Sequence, residues 1–357
     1  MKKVLLSVTV ILLLSTTLTI AQTKVIKKSA AKSNNYGVSY FLPKSVLEIQ
    51  AIVSKIEMKS GPYYKYAEKY LGVTNAIVEN NTYYELGSVQ VYLKGVPDKD
   101  KLYLVELKSR TTAPFVYLTE SGLICTINAE YIPAENMLAN EKSLVDSNSK
   151  LSPETLFTEE YLQAGSTAKM AEIAAKQIYN IRESRMDILT GNSENVPRDG
   201  AALKLVLEQL EAKEKALVEL FTGTSIQSSK TVTFEVEPKA DMEKEVIFRF
   251  SKYQGVVGND DLSGQSVYMN LKRIEKEHLE LNTKKKNTNS NKGVVYNIPG
   301  RGDVEIYYGT NRMYKGTFDI TQFGTTQVLV NSLYGSGRTP VKIYFYPETG
   351  GIKRIEQ

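Results

Sequence analysis

The chain has few of the side chains on which most catalytic and metal sites depend. It has 357 residues, with one cysteine, Cys125, one histidine, His278, and no tryptophan. A zinc site needs several nitrogen or sulfur ligands, and a catalytic triad needs a nucleophile, a base and an orienting acid. No Gly-x-Ser-x-Gly elbow is present. The composition therefore predicts no catalytic, metal or other cofactor site.

Structural roles explain the single cysteine and the single histidine more simply than catalysis or metal binding does. Cys125 has no second cysteine with which to form an internal disulfide, and it lies in an alternating segment typical of a strand. We expect it to be a small buried apolar residue. His278 lies in a charged alternating segment, and we expect it to be exposed at a strand end.

Strong charge and long apolar runs are also lacking in most of the chain. The net charge is +5, and part of the surplus falls in polar stretches at residues 24–32 and 284–286. A nucleic-acid partner is not expected, because such proteins collect basic residues on one folded face. After residue 21 no apolar run reaches the ~18 residues that a membrane-spanning helix needs.

The first 21 residues resemble a secretory leader. Lys2 and Lys3 precede the apolar run Val4–Ser15, and Thr19 and Ala21 supply small residues before a cut at Gln22. The sequence therefore predicts an exported protein. We expect the periplasm, with an outer-membrane-associated or extracellular position as the alternative.

Apolar periodicity beyond the leader predicts an α+β protein. Short alternating strands before and after two long helices indicate two mostly antiparallel, sandwich-like β modules, with a helical hairpin between them docked on the β structure. The predicted units are a leader (1–21), a flexible segment (22–35), an N-terminal β module (36–132), a linker (133–152), the hairpin (153–225) and a C-terminal β module (226–357).

Two glycine-proline clusters inside the β modules are typical of turns. Gly95-Val96-Pro97-Asp98 separates two strand patterns, and Pro299-Gly300 precedes Arg301-Gly302-Asp303. Some adhesion receptors bind such an Arg-Gly-Asp tripeptide, but a hairpin turn explains it more simply.

The hairpin is predicted as a helix over Ser166–Leu189 and a second over Asp199–Phe221, with Gly191 and Gly223 beyond their ends. Arg185 and Glu214 fall inside the apolar stripes of these helices. With the helix ends level, the two residues would lie on the order of 15 Å apart along the axis. We therefore expect each buried charge to find its partner in the β structure.

One loop could offer oxygen ligands to a cation. Asn259, Asp260 and Asp261 are followed by Ser263 and Gly264, but the alternating loop of an EF-hand is absent. A turn is the expected structure.

Eight segments in order carry a resemblance: Tyr40–Lys44, Tyr66–Gly72, Leu118–Leu123, Gln177–Arg185, Leu220–Gly223, Phe248–Ser251, Tyr296–Gly300 and Gln322–Gly324. Together they resemble a family of exported proteins from Bacteroidetes-type bacteria, the domain of unknown function 4831. The resemblance covers nearly the whole chain after the leader. It implies an envelope with two membranes and carries no activity.

These observations favour a non-catalytic envelope protein that binds another macromolecule, an envelope protein or a glycan. Two alternatives stay open. The 23 tyrosines could line a cleft for a glycan or small ligand, although sheet packing explains them well. A hydrolase could use a carboxylate pair drawn from anywhere in the chain. The oligomeric state is not indicated.

Overall fold

A computed structural model of the chain describes residues 24–27, 37–106, 116–131, 153–193, 197, 199–274, 293–330 and 341–356. The predicted leader, the predicted linker at 133–152 and His278 lie outside these residues. Nothing below concerns their structure.

The chain is an α+β protein dominated by antiparallel strands, as predicted. The helices are α1 (Ala67–Leu71), α2 (Glu159–Leu162), α3 (Thr167–Thr190) and α4 (Gly200–Thr222), with 3₁₀ turns at Tyr64–Tyr66 and Pro153–Leu156. The strands are β1 (Lys24–Lys27), β2 (Gly37–Lys59), β3 (Asn81–Glu106), β4 (Val116–Leu118), β5 (Ile124–Ile127), β6 (Thr224–Val236), β7 (Met242–Ser251), β8 (Gly255–Val257), β9 (Gln265–Ile274), β10 (Gly293–Tyr308), β11 (Asn311–Val330), β12 (Lys342–Phe345) and β13 (Ile352–Glu356).

These strands form three sheets that combine distant parts of the chain. Sheet A has the order β1-β3-β2-β6, sheet B has the order β13-β12-β5-β4, and sheet C has the order β11-β10-β9-β7-β8. In sheet A, β6 follows the helical hairpin but pairs along β2, which precedes it. In sheet B, β12 comes from the C-terminal region and pairs with β5. The two predicted β regions therefore share sheets.

Three apolar cores hold these layers together. In the first, the inner face of β2 and β3 packs against sheet C through residues such as Ile49, Phe248 and Ile306. In the second, the first part of β2 packs against sheet B and the ends of β10 and β11, with Tyr40 and Ile343 fully buried. The third core belongs to the helices. Sheet A spans the first two cores because its two central strands are unusually long.

The predicted turn at Gly95-Val96-Pro97-Asp98 is wrong, because β3 runs through it. Pro97 lies opposite Pro43 of β2, next to a register shift between Phe41 and Pro43, which is where a strand tolerates residues without an N–H. Gly95 is needed for close packing. A Cβ at Gly95 would lie 2.5 Å from the carbonyl oxygen of Pro347 in the β12–β13 connection.

The predicted turn at Pro299-Gly300 is wrong for a similar reason. Strand β10 continues through it, with a register shift between Ile298 and Gly300, so Arg301-Gly302-Asp303 lies inside a strand paired on both sides. A Cβ at Gly300 would lie 2.4 Å from the carbonyl oxygen of Phe323. The tripeptide is therefore part of the sheet and does not form an exposed hairpin turn.

Polar side chains join the sheets where they meet. Ser45 of β2 and Thr321 of β11 exchange two bonds: the Ser45 N–H donates to Thr321 Oγ1 (2.9 Å) and the Thr321 N–H donates to Ser45 Oγ (3.0 Å). Asn297 of β10 donates from Nδ2 to the carbonyl oxygens of Pro43 (3.0 Å) and Thr349 (2.9 Å). These buried bonds satisfy main-chain groups at the ends of the ladders.

Candidate binding surface

Both helices of the hairpin are capped at their first turns by side chains. The Ser166 hydroxyl accepts a bond from the Lys169 N–H (3.3 Å), and an Asp199 carboxylate oxygen accepts one from the Ala202 N–H (3.0 Å). Such bonds satisfy N–H groups that a first helical turn leaves free. Gly191 follows α3 with φ 78° and Gly223 follows α4 with φ 79°. The predicted helix bounds are confirmed to within a residue or two.

One end of the hairpin docks on the segment that links β2 to β3. The Tyr63 N–H donates to the carbonyl oxygen of Leu220 (2.8 Å), and the Ile77 N–H donates to that of Thr222 (2.9 Å). The fully buried Phe221 ring packs 5.4 Å from the Tyr63 ring. The Tyr63 hydroxyl contacts that of Tyr161, and burial, reinforced by this bond, raises the pKa of Tyr63. The helices therefore lie at the end of sheet A.

Burial changes along the hairpin. All the buried residues of α3 lie in its first half (Ala171, Ile173, Ala174, Ala175 and Ile178), and all those of α4 lie in its last half (Ala216, Leu217, Leu220 and Phe221). We call these the near halves. In the far halves, Ile181, Ile188, Leu203, Val206, Leu207 and Leu210 keep the apolar stripe but stay partly exposed. The stripe therefore extends beyond the part that the protein covers.

Arg185 and Glu214 pair with each other, so the prediction of separate partners in the β structure is wrong. Arg182 Nε donates to Glu214 Oε1 (2.7 Å), and Arg185 Nη1 lies 2.9 Å from Oε2 without hydrogen-bond geometry. The prediction placed the ends of the two helices side by side and did not allow for the length of an arginine side chain. It also did not include Arg182. Glu214 is 13% exposed, whereas the arginine side chains are 41% and 36% exposed. The largely covered carboxylate is thus compensated by two cations that remain partly exposed to water.

A second stripe, which was not predicted from the sequence, lies on the outside of α3. It consists of Tyr179, Arg182, Met186 and Leu189, and we call it the outer face. Two pairs within it are seven residues apart, so all four lie on one side of the helix. Tyr179 is 50% exposed, Met186 60% and Leu189 64%. The signal was present in the seven-residue spacing, but the stronger inner stripe concealed it.

The outer face begins where the docked part of the hairpin ends. The Tyr179 hydroxyl donates to the carbonyl oxygen of Tyr70 at the end of α1 (2.6 Å), and the Arg182 guanidinium lies 5.7 Å from the centroid of the Tyr179 ring. These contacts fix the ring at one end of the stripe. Met186 and Leu189 continue it along the far half of α3.

The loop with Asn259, Asp260 and Asp261 is an ordinary turn. Asp261 Oδ1 accepts a bond from the Ser263 N–H (2.9 Å), and hydrogen bonding to Ser263 lowers the pKa of Asp261. Arg249 donates from Nε to the Asn259 carbonyl oxygen (2.7 Å) and thus brings a positive charge to the place where a cation would sit. Within the described part of the chain, no three His, Cys, Asp or Glu residues form a metal-binding group.

The surroundings of the cysteine thiol and of several carboxyl groups displace their pKa values in directions that do not favour catalysis. Cys125 is fully buried in β5, and burial raises the pKa of its thiol to about 11. The carboxyl groups of the described residues whose pKa is displaced are Glu57, Glu172, Asp261 and Glu305, and in each the pKa is lowered by a neighbouring donor. A proton-donating acid would need the opposite shift.

Comparison with known proteins places the chain in a family. The family described as Domain of unknown function (DUF4831) matches residues 36–353. No curated protein and no solved structure matches the chain. Among the described helices none is long and apolar enough to cross a membrane. Because the match covers far more than half of the sequence, the chain belongs to the family described as Domain of unknown function (DUF4831).

Proposed function

We propose that the protein is an exported, non-catalytic component of the cell envelope that acts by binding another macromolecule, a protein, through the outer face of α3. The leader pattern of residues 1–21 supports export. The observation that carries the binding role is the exposure of Tyr179, Met186 and Leu189 in one helical stripe. Single exposed apolar residues are ordinary, but an aligned set marks an interaction surface.

The outer face is a helix surface of the kind that helix-binding proteins recognise. Apolar side chains at helical spacing fit a complementary groove or a second helix. Fully burying a side chain such as Met or Leu contributes roughly 1.5–3 kcal/mol. Three half-exposed side chains therefore supply enough favourable free energy for a moderate contact after the costs of association. The rigid attachment at Tyr179 limits the ordering cost at that end.

A protein partner fits this surface better than a glycan. Met186 and Leu189 offer no hydrogen bonds, which sugars require, but they complement aliphatic side chains. A glycan is the second candidate, because exposed lysines lie beside tyrosine rings in the β2–β3 connection, which the Tyr179 hydroxyl contacts at Tyr70. Lys65 Nζ is 5.8 Å from the Tyr64 ring centroid, and Lys69 Nζ is 5.0 Å from that of Tyr70.

Photo-cross-linking in intact cells tests the partner. A photoreactive amino acid is placed at position 186 or 189, and the control is placed at position 205, because Leu205 is 57% exposed on α4 but lies outside the outer face. We expect a discrete protein adduct from 186 and 189 and none from 205. Absence of an adduct, or equal adducts from all three positions, contradicts the proposal.

A substitution pair separates the protein partner from the glycan. With the photoreactive amino acid placed at position 179, Met186→Ser with Leu189→Ser should abolish the adduct, whereas Leu205→Ser should leave it unchanged. If instead the Ser variants have no effect and retention on immobilised envelope polysaccharide is lost on Lys65→Ala with Lys69→Ala, the glycan candidate replaces the protein.

Export is tested separately. Mass spectrometry of the protein from cell fractions should find Gln22 as the first residue in the periplasmic or outer-membrane fraction. Recovery of the uncut chain from the cytosol refutes export, whatever the cross-linking shows.

A further inference from the structure

The two edges of sheet A differ in length. One edge is β1, which has four residues and pairs with the end of β3. Part of the segment predicted to be flexible, residues 22–35, is therefore a strand, because pairing with a distant part of the chain outweighs its polar composition. The other edge is β6, which has 13 residues. All of them pair with β2 without a register shift, so this edge is long and regular.

Much of β6 is open to water. Every residue from Ser225 to Thr231 is exposed, so both faces of the strand are uncovered over seven residues. The side chain of Ile226 is among them, at 43% exposure. Among the described strands, none pairs with the side of β6 that faces away from β2. An edge of this kind presents main-chain N–H and C=O groups to which another extended chain can add.

β6 lacks the features that usually prevent pairing between sheet edges. Natural edge strands are commonly protected by a proline, a bulge or several charges. From Thr224 to Val236 there is no proline and no bulge, and Lys230 is the only charged residue before Glu235. The ladder with β2 also holds the strand in an extended conformation. The edge is therefore preorganised for the addition of a strand, which lowers the cost of binding one.

We propose that β6 pairs with β6 of a second copy of this chain, antiparallel and centred on Ser228, so that two four-stranded sheets join into one continuous sheet. A two-fold axis at Ser228 places Ser225 opposite Thr231 and Ile226 opposite Lys230. The pairing therefore covers the exposed segment from end to end, and every contact is made twice. Because each copy offers one β6 edge, the assembly closes at two copies.

The sequence of β6 is complementary to itself in this register. Directly opposite residues lie on the same face of the sheet, so Ile226 packs against the aliphatic stem of Lys230 while the ammonium group stays in water. Thr224 lies opposite Val232, and both are β-branched residues that suit a strand. A pairing centred on Lys230 would instead place two lysines opposite each other, which is unfavourable. This internal match favours a second copy over an unrelated strand.

Cysteine cross-linking of the purified, folded protein tests the register. Opposite Cα atoms in an antiparallel pair lie about 4.5–5.5 Å apart, which a disulfide can bridge. Under mild oxidation, Ser228→Cys should form a covalent dimer about tenfold or more faster than Thr233→Cys, because two copies of that exposed position would lie about 34 Å apart along the strands. Cys125 is fully buried in both proteins and does not contribute. Equal rates overturn the proposal.

Sedimentation equilibrium tests the contact without a cross-link. Ile226→Lys places a lysine opposite Lys230 of the second copy, and should raise the dissociation constant of the dimer about tenfold or more. Adding Lys230→Glu should return this constant to within about threefold of the original, because opposite charges then face each other. The matched control is Val328→Lys, since Val328 is 40% exposed on the edge strand of sheet C, and it should have no effect.

The remaining outcomes separate this dimer from other contacts. A protein that stays monomeric at about 100 µM overturns the proposal. A dimer that survives Ile226→Lys but is lost on Met186→Ser with Leu189→Ser also overturns it, because the contact would then lie on the outer face of α3. Circular dichroism checks that each variant is folded. If Ile226→Lys does not fold, the comparison of Ser228→Cys with Thr233→Cys decides.

Discussion

The helical hairpin and the β structure use the same residue types for different purposes. In the hairpin, Gly191 and Gly223 end helices with positive φ. In the sheets, Gly95 and Gly300 lie inside strands, where neighbouring backbone excludes a Cβ. The glycines of the hairpin are required by the helix in which each one lies. The glycines of the sheets are required by backbone that comes from distant parts of the chain.

The two regions also differ in how completely they bury their apolar side chains. The first core is closed by sheets on both sides, with Ile49, Met269 and Ile306 at 0% exposure. The hairpin is covered only in its near halves, and its far halves keep an apolar stripe and an exposed outer face. A helix forms from local bonds whether or not both of its sides are covered, whereas a sheet of this kind requires a packed face. The uncovered half is therefore where the proposed partner would bind without disturbing the fold.

The largest expected effect contrasts the near and far halves. Phe221→Ala should lower the free energy of unfolding by about 3–5 kcal/mol, because it empties the core of the docked end. Leu189→Ala should change the free energy of unfolding by no more than about 0.5 kcal/mol, because that side chain is already in water. Urea denaturation followed by circular dichroism measures both. Equal losses would show that the far half is covered after all.

The next effect concerns the glycines of the sheets. Gly300→Ala should lower the free energy of unfolding by about 1–3 kcal/mol, because the added methyl group must displace the backbone at Phe323. The control is Gly258→Ala, since a Cβ at Gly258 would meet no atom within 4 Å. If both substitutions have the same small effect in urea denaturation, Gly300 is not required for close packing.

A smaller effect is expected at the boundary between the two halves of the hairpin. Glu214→Gln removes the charge that Arg182 and Arg185 share, and should lower the free energy of unfolding by about 1–2 kcal/mol, because the arginines remain hydrated. Glu183→Gln, on the exposed surface of α3, serves as the matched control. Thermal unfolding at matched salt compares the two, and an unchanged Glu214→Gln protein would show that the ion pairs are unimportant.

The smallest effect is a pH dependence in sheet C. The Tyr307 hydroxyl donates to Glu305 Oε2 (2.9 Å) and Lys315 Nζ lies 3.1 Å from Oε1, and these contacts lower the pKa of Glu305 below its ordinary value of 4.5. A lowered pKa contributes stability above the ordinary value, and this contribution is lost as the pH falls through the lowered one. In the Glu305→Gln protein, the free energy of unfolding should therefore fall slightly less steeply as the pH is lowered. An identical acid limb in both proteins would contradict this.

Local sequence signals predicted the hairpin well and the strand connections poorly. Ser166, Asp199, Gly191 and Gly223 act on their own helices, so their meaning survives in any tertiary context. Pro97 and Gly300 look like turn residues when read alone. Only the positions of Pro43 and Phe323 show why strands continue through them.

The charges and the exposed stripe of the hairpin were predicted only in part. Arg185 and Glu214 were identified as charges within apolar stripes, but their partnership with Arg182 depends on the relative level of two helices. The outer face of α3 was available in the spacing of Tyr179, Met186 and Leu189. Its exposure could not be known before the docking of the near halves was known.

Periodicity, caps and composition by themselves determined the α+β class, the positions of the two long helices and the scarcity of catalytic side chains, because each depends on residues close together in the chain. The tertiary structure decided the sharing of sheets between the two β regions, the strand at Lys24–Lys27 and the half of the hairpin that remains in water. Those features depend on which distant backbone edges and apolar faces meet, and that choice minimises the free energy of the whole chain and not of any one segment.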